Sequence, residues 1–306
     1  MKAASILSVA DVSSKEINAL IALAIEMKRN PGHYASSLKG KTLLMFFEKP
    51  SLRTRVSFDA GMNQLGGHSV VVDVSHTPFG AKESVEDTAK VCSRYADAIM
   101  ARLFSHEMLF RLQKAASIPV INGLTDDEHP VQILSDLLTV FEKKGALKGL
   151  KLCYLGDGDN NVTYSLLLGC AIAGMDIAIG CPKGLQPKKG VVEKAKKLSS
   201  GSIVVTSDAK EAIKGADIVY TDSWMSYHIP PSQKKPRLKM LMPYQVSSEL
   251  MSSANKTAIF MHCLPATRGE EQTAEVIDGR QSVVFDQAEN RLHMQKAILY
   301  TLLTKN

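Results

Sequence analysis

Short apolar runs alternate with amphipathic stretches along most of the chain, and that rhythm sets the expected architecture. Runs at 42–46, 70–74, 98–101, 119–122, 150–155, 177–179, 203–206, 218–221, 259–261 and 283–285 read as strands. They are continuous rather than alternating, as in parallel strands covered on both faces, and Val70-Val71-Val72-Asp73-Val74 is typical. The stretches between them carry apolar residues three and four apart. Ser13 and Glu16 form a capping box ahead of Ile17, Leu20, Ile21 and Ala24. Phe58, Met62 and Leu65 make a second stripe, ended by Gly66-Gly67. Helical patterns follow at 84–95 and behind Pro130, where Val131, Leu134, Leu138 and Phe141 share a face. Another runs from Val162 to Ala173 with Gly174 as its cap, and the last runs from Glu289 to Leu303.

Strands that alternate with helices indicate the α/β class. The polar, glycine-punctuated stretch 143–149 interrupts the rhythm, which restarts at Leu150. The expectation is two doubly wound parallel-sheet domains, 1–145 and 146–287, followed by a helix over 288–306. The stretch 228–243 is rich in proline and lysine, lacks periodicity and reads as a loop over a site.

Composition narrows the function classes. The 306 residues are 45% hydrophobic and 22% charged, as expected of a soluble globular protein. The net charge is +6, with no basic block longer than pairs such as Lys188-Lys189, which favours a small anionic ligand over nucleic acid. Cysteines 92, 153, 170, 181 and 263 are odd in number and widely spaced, which argues against a disulfide framework and a zinc site alike. The N-terminus has no signal-peptide core and no apolar run reaches the length of a membrane span. A cytoplasmic enzyme or binding protein, free of membrane and nucleic acid, is expected.

The candidate chemistry gathers at predicted strand ends, where ligands bind in such folds. Behind the first strand, Ser51 sits at an N-cap position and Arg53 and Arg55 occupy the first helical turn. A helix N-terminus is electropositive, so arginines there conflict with the dipole unless an anion joins them. Backbone N–H groups, the Ser51 and Thr54 hydroxyls and a guanidinium could then converge on a phosphate. Arg102 ends another strand, and His129 and Gln132, three apart, project from one side of a helix start. The loop Gly156-Asp157-Gly158-Asp159-Asn160-Asn161 has the G-x-G of a dinucleotide site but no third glycine, and its aspartates would face a pyrophosphate. An asparagine pair suits an amino acid better, because an amide both donates to a carboxylate and accepts from an amine. Asp222 and the chain's single tryptophan, Trp224, follow one later strand, and His262-Cys263-Leu264-Pro265 follow another.

Taken together and in order, these segments resemble the aspartate/ornithine carbamoyltransferase family. The resemblance rests on Ser51-Leu52-Arg53-Thr54-Arg55, Arg102, His129-Pro130-x-Gln132, Asn161, Asp222 to Ser226, His262-Cys263-Leu264-Pro265 and Arg291, spread over about residues 40–300. It implies a carbamoyltransferase that uses carbamoyl phosphate. By resemblance, Ser51, Leu52, Arg53 and Thr54 grip the phosphate, and Arg102, His129 and Gln132 hold the carbamoyl end. Cys263, Leu264 and Arg291 complete that set, and His76 stands where the family often has a histidine from a neighbouring subunit. Asn161, Asp222, Ser226 and Tyr227 would bind L-ornithine, with Arg102, His129, Cys263 and Asp222 as catalytic groups. The His-Cys-Leu-Pro signature points to ornithine rather than aspartate, the C-terminal helix would return to the first domain, and the assembly would be a homotrimer or a multiple of it. Tyr227 and His228 depart from the family's Met-Gly, which leaves putrescine or an N-acylated ornithine open as the amine; a non-catalytic amino-acid or anion binder is a further alternative.

Overall fold

The computed structural model describes residues 4–74, 79–225 and 229–304, and His76, Ser226, Tyr227 and His228 therefore lie outside the described residues. The chain forms two compact units. One comprises Met1–Leu138 with Glu289–Asn306, and the other Thr139–Ala288. Both cuts fall inside continuous helices, Pro130–Lys144 and Val284–Leu303.

The first unit is built on a sheet of β1 (Thr42–Phe47), β2 (His68–Asp73), β3 (Ala98–Arg102) and β4 (Val120–Leu124), in the order β2-β1-β3-β4. All three pairings are parallel, so every carboxyl end points the same way. Helices Leu52–Gln64, Val85–Cys92, His106–Ala115 and Pro130–Lys144 follow these strands. Serine caps start three of them: Ser51, Ser84 and Ser105 each accept a backbone N–H of the first turn. The expected capping box of Ser13 and Glu16 is formed at the head of Ser14–Arg29. The second unit carries β5 (Lys151–Leu155), β6 (Asp176–Gly180), β7 (Ile203–Thr206), β8 (Ile218–Thr221) and β9 (Ile259–His262). These are also all parallel, in the order β7-β6-β5-β8-β9. Helix Asn161–Ala173 crosses from β5 to β6, is apolar on nearly every side, and ends at Gly174, whose φ of 73° suits a residue without Cβ.

In each sheet the strand order reverses at one place, between β1 and β3 and between β5 and β8. Loops leaving such a point in opposite directions open a crevice at the carboxyl edge.

Three sequence expectations are corrected. Val70–Val74 is not covered on both faces: β2 is an edge strand, and Val70 and Val71 are 43% and 38% exposed. The apolar run 283–285 is no strand; Val284 opens the long C-terminal helix, which therefore starts a turn before Glu289. Within 228–243 the described residues include a helix, Lys234–Leu241. Its Pro236 lies in the first turn, where no intrahelical N–H is lost, so proline did not forbid it.

Candidate active site

In the first unit, the residues behind β1 and β3 are laced together. The Glu48 N–H donates to the Arg102 carbonyl at 2.9 Å, and the Glu48 carboxylate accepts the Phe104 N–H at 2.7 Å. Lys49, buried although charged, pairs with Asp126 and lies 4.3 Å from the centre of the Phe104 ring. Burial pulls the Lys49 ammonium down, and its bond to Asp126 opposes that shift. Neither Lys49 nor Asp126 was singled out from sequence; the only signal was a lysine directly behind an apolar strand.

Ser51 caps the next helix by accepting the Thr54 N–H at 3.3 Å. Thr54 is fully buried and its hydroxyl accepts from Arg291 Nη2 at 2.9 Å. The other Arg291 nitrogen, Nη1, donates to Gln132 Oε1 at 2.9 Å, and Gln132 Nε2 donates to Asp136 at 2.9 Å. One guanidinium from the C-terminal helix thus joins the Ser51 helix to the His129-Pro130-x-Gln132 helix. His129 is buried, and burial together with the positive charges of Arg291, Arg102 and Lys49 pushes its pKa well below the usual imidazole range. Thr54, Gln132 and Arg291 meet directly, and Arg102 and His129 belong to the same charged neighbourhood. Leu52 stands apart, its side chain 74% exposed, and Arg55 stacks over the Phe47 ring at 5.1 Å.

The second unit presents its groups at the carboxyl ends of β5, β8 and β9. Cys263 Sγ donates to Asp222 Oδ1 at 3.0 Å, which joins the two loops after β8 and β9. The cysteine is presented by a turn that His262 supports. His262 Nδ1 accepts the Leu264 N–H at 2.9 Å and Nε2 lies 3.2 Å from the buried Glu271. Leu264 adopts a φ of 57°, a left-handed conformation unusual for a branched side chain, while packing against the unit's core. Among the described residues one group of potential metal ligands comes together, Asp222, His262 and Cys263, with donor atoms within 4.8 Å of one another. Both His262 nitrogens already serve the turn, so the ring is committed to holding the loop.

The asparagine pair divides its labour. Asn160 is the N-cap: its Oδ1 accepts the Thr163 N–H at 2.9 Å, and its Nδ2 donates to the Asp157 carbonyl at 2.7 Å and Tyr154 Oη at 3.0 Å. Asn161, the first helical residue, is half-buried at the same strand end. The dinucleotide reading fails on packing. Gly156 has a φ of 131°, and a Cβ there would lie 2.9 Å from Trp224 Nε1, so the indole fills the space above the glycine. Asp157 is paired with Arg237, a contact between residues 80 apart that sequence reading missed.

The comparisons agree with this division. Residues 4–142 match the family described as aspartate/ornithine carbamoyltransferase, carbamoyl-P binding domain, and residues 148–302 match its Asp/Orn binding domain. Ornithine carbamoyltransferases of Anoxybacillus flavithermus and Bacillus subtilis are 50% and 51% identical, covering 99% and 98% of this chain and 98% and 94% of their own lengths. Among solved structures, the Pyrococcus furiosus ornithine carbamoyltransferase is 43% identical with a TM-score of 0.92, covering 96% of this chain and 95% of that one. The Giardia lamblia ornithine transcarbamoylase is 42% identical with a TM-score of 0.91 over all of both chains. The two matched domains, in order and over nearly the whole sequence, carry one conclusion: this chain belongs to the aspartate/ornithine carbamoyltransferase family.

Proposed function

We propose that the protein transfers the carbamoyl group of carbamoyl phosphate to the δ-amine of L-ornithine, giving L-citrulline and phosphate. The observation that carries the reading is the gathering of Arg102, Arg291 and Lys49 near the buried His129, whose pKa burial first and then these charges push well below the usual imidazole range. Such a neighbourhood is made for a small anion, and a neutral His129 can share a hydrogen bond with its carbonyl end. Ser51, Leu52, Arg53 and Thr54 offer the helix N-terminus, hydroxyls and a guanidinium to the phosphate, with His76 a further candidate contact. Arg102, His129 and Gln132 hold the carbamoyl group, and Arg291 braces Thr54 and Gln132 from behind. Cys263 and Leu264, from the second unit, are further candidate contacts for carbamoyl phosphate.

Asn161, Asp222, Ser226 and Tyr227 bind ornithine. Only a neutral amine is nucleophilic, and amines of this type are mostly protonated at neutral pH, as lysine's value of about 10.4 illustrates. The Cys263–Asp222 pair orients the δ-amine and helps remove its proton. The amine nitrogen then forms a bond to the carbonyl carbon. The developing oxyanion is met by Arg102 and His129, and the tetrahedral centre collapses by breaking the carbon–oxygen bond to phosphate. No cofactor takes part in this sequence of steps.

The chain works as a homotrimer or a multiple of it. Leu52 and Val56 are exposed one turn apart on a helix, and Val70 and Val71 are exposed on the strand that Ser69 ties to Asp59 of that helix. Five free thiols, four of them buried, suit a reducing cytoplasm, and no described helix is long and apolar enough to cross a membrane.

The test is product formation. Purified protein given carbamoyl phosphate and L-ornithine should release phosphate and citrulline in equal amounts. Phosphate without a ureido product would mean hydrolysis and refute the transfer.

A further inference from the structure

We propose that Arg237 is a positioning residue for the amine substrate, a clamp that fixes the spacing between Asn161 and Asp222; this rests on the ornithine reading above. The two candidate substrate groups arrive on different loops, one after β5 and one after β8, on either side of the strand-order reversal. Arg237, from the helix Lys234–Leu241, grips both. Its Nε donates to the Trp224 carbonyl at 2.6 Å, two residues beyond Asp222, and its Nη2 pairs with Asp157 Oδ2, four residues before Asn161.

Asp157 is the right anchor for the first loop. Its Oδ1 accepts the Asp159 N–H at 3.0 Å, and its carbonyl accepts from Asn160 Nδ2 at 2.7 Å and Thr163 Oγ1 at 3.2 Å. The turn that launches Asn161 is therefore organised around Asp157. On the other loop, Trp224 is fully buried and its indole packs over Gly156. The clamp is itself sheltered, with the Arg237 and Asp157 side chains only 13% and 5% exposed. The two acceptors are met by different nitrogens of a planar guanidinium; an ammonium carries its three donors on one atom at the end of a flexible stem and does not reproduce that fixed spacing. An amino acid held by both its α-carboxylate and its α-amino group senses the spacing of the two receiving side chains. Carbamoyl phosphate, held in this reading mainly by residues of the first unit, does not.

Three variants test the clamp: Arg237→Lys, Arg237→Met and Asp157→Asn. Each should raise the KM for L-ornithine about tenfold or more while that for carbamoyl phosphate stays within about twofold, the loss expected for a charge-assisted hydrogen bond. The double variant Arg237→Met/Asp157→Asn should be no worse than the poorer single one, because both remove the same bridge. The chain has one tryptophan, so emission from Trp224 reads the same clamp without substrate and should shift to the red in all three. Unchanged ornithine KM in Arg237→Lys and Asp157→Asn would overturn the proposal. So would parallel rises in both KM values with a lowered melting temperature, which would mean structural support only. If the wild type prefers another amine, the same ratio is read with that amine. A wild type that carbamoylates none refutes the proposed function, and Trp224 emission alone then decides whether the clamp exists.

Discussion

His129 shows how a residue's neighbours decide its chemistry. Held neutral by burial and three nearby cations, it donates or accepts a hydrogen bond at neutral pH without adding a fourth charge. His129→Ala should lower kcat/KM by roughly two to three orders of magnitude, the range for a lost oxyanion donor, with little change in the KM for the amine. The same environment has a stability signature. A histidine depressed in the folded state binds its proton only in the unfolded chain between the folded value and the ordinary 6.5. Stability is therefore complete above about pH 6.5 and falls as pH drops below it. His293, depressed chiefly by burial, adds to the same decline. Denaturant unfolding at pH 5 and pH 7.5 should give a smaller difference for His129→Asn than for the wild type; an unchanged difference would show that His129 does not contribute. At the other group of residues, Asp222→Asn should cut kcat/KM by on the order of a hundredfold or more if the Asp222–Cys263 pair assists proton loss. Cys92, Cys153 and Cys181 offer no rival nucleophile: burial raises all three thiols, and with the added charge of Asp157 the Cys181 thiol is pushed up to about 12.

At the scale of elements, most strands were legible because parallel strands buried on both faces leave continuous apolar runs. The failures have equally physical causes. A β-branched run such as 70–74 identifies a strand but carries no information about whether another strand lies beyond it, and β2 is an edge. The run 283–285 is too short to separate a strand from the first turn of a helix. Helix Lys234–Leu241 was hidden by lysines and Pro236, which erase the usual apolar stripe without preventing the turn. Side-chain types at strand ends were readable, but pairings such as Lys49–Asp126 and Asp157–Arg237 join residues 77 and 80 apart and have no local signal. Two element-level substitutions follow. Gly156→Ala should destabilise the second unit by about 1–3 kcal/mol, because the added methyl meets the buried indole at a positive φ. Arg291→Met should cost about 1.5–3 kcal/mol by removing the charged bonds to Thr54 and Gln132, and should weaken carbamoyl phosphate binding in calorimetry.

At the scale of the molecule, the sequence pattern called for two parallel α/β sheets and the chain forms them, with a strand-order reversal in each. Leu52, Val56, Val70 and Val71 are exposed, and the trimer proposed above would cover them. Light scattering should give about three times 33.3 kDa, or a multiple of that, and Val70→Lys with Val71→Glu should shift the mass downward. A wild-type mass of one chain would refute the trimer. The central claim concerns the reaction, and one measurement addresses it most directly: ureido product formed from carbamoyl phosphate with L-ornithine, putrescine, N-acetylornithine and L-aspartate compared side by side. The account predicts strong preference for L-ornithine. Preference for one of the other amines would contradict the reading of the second unit, and no product with any of the four would contradict the enzyme itself.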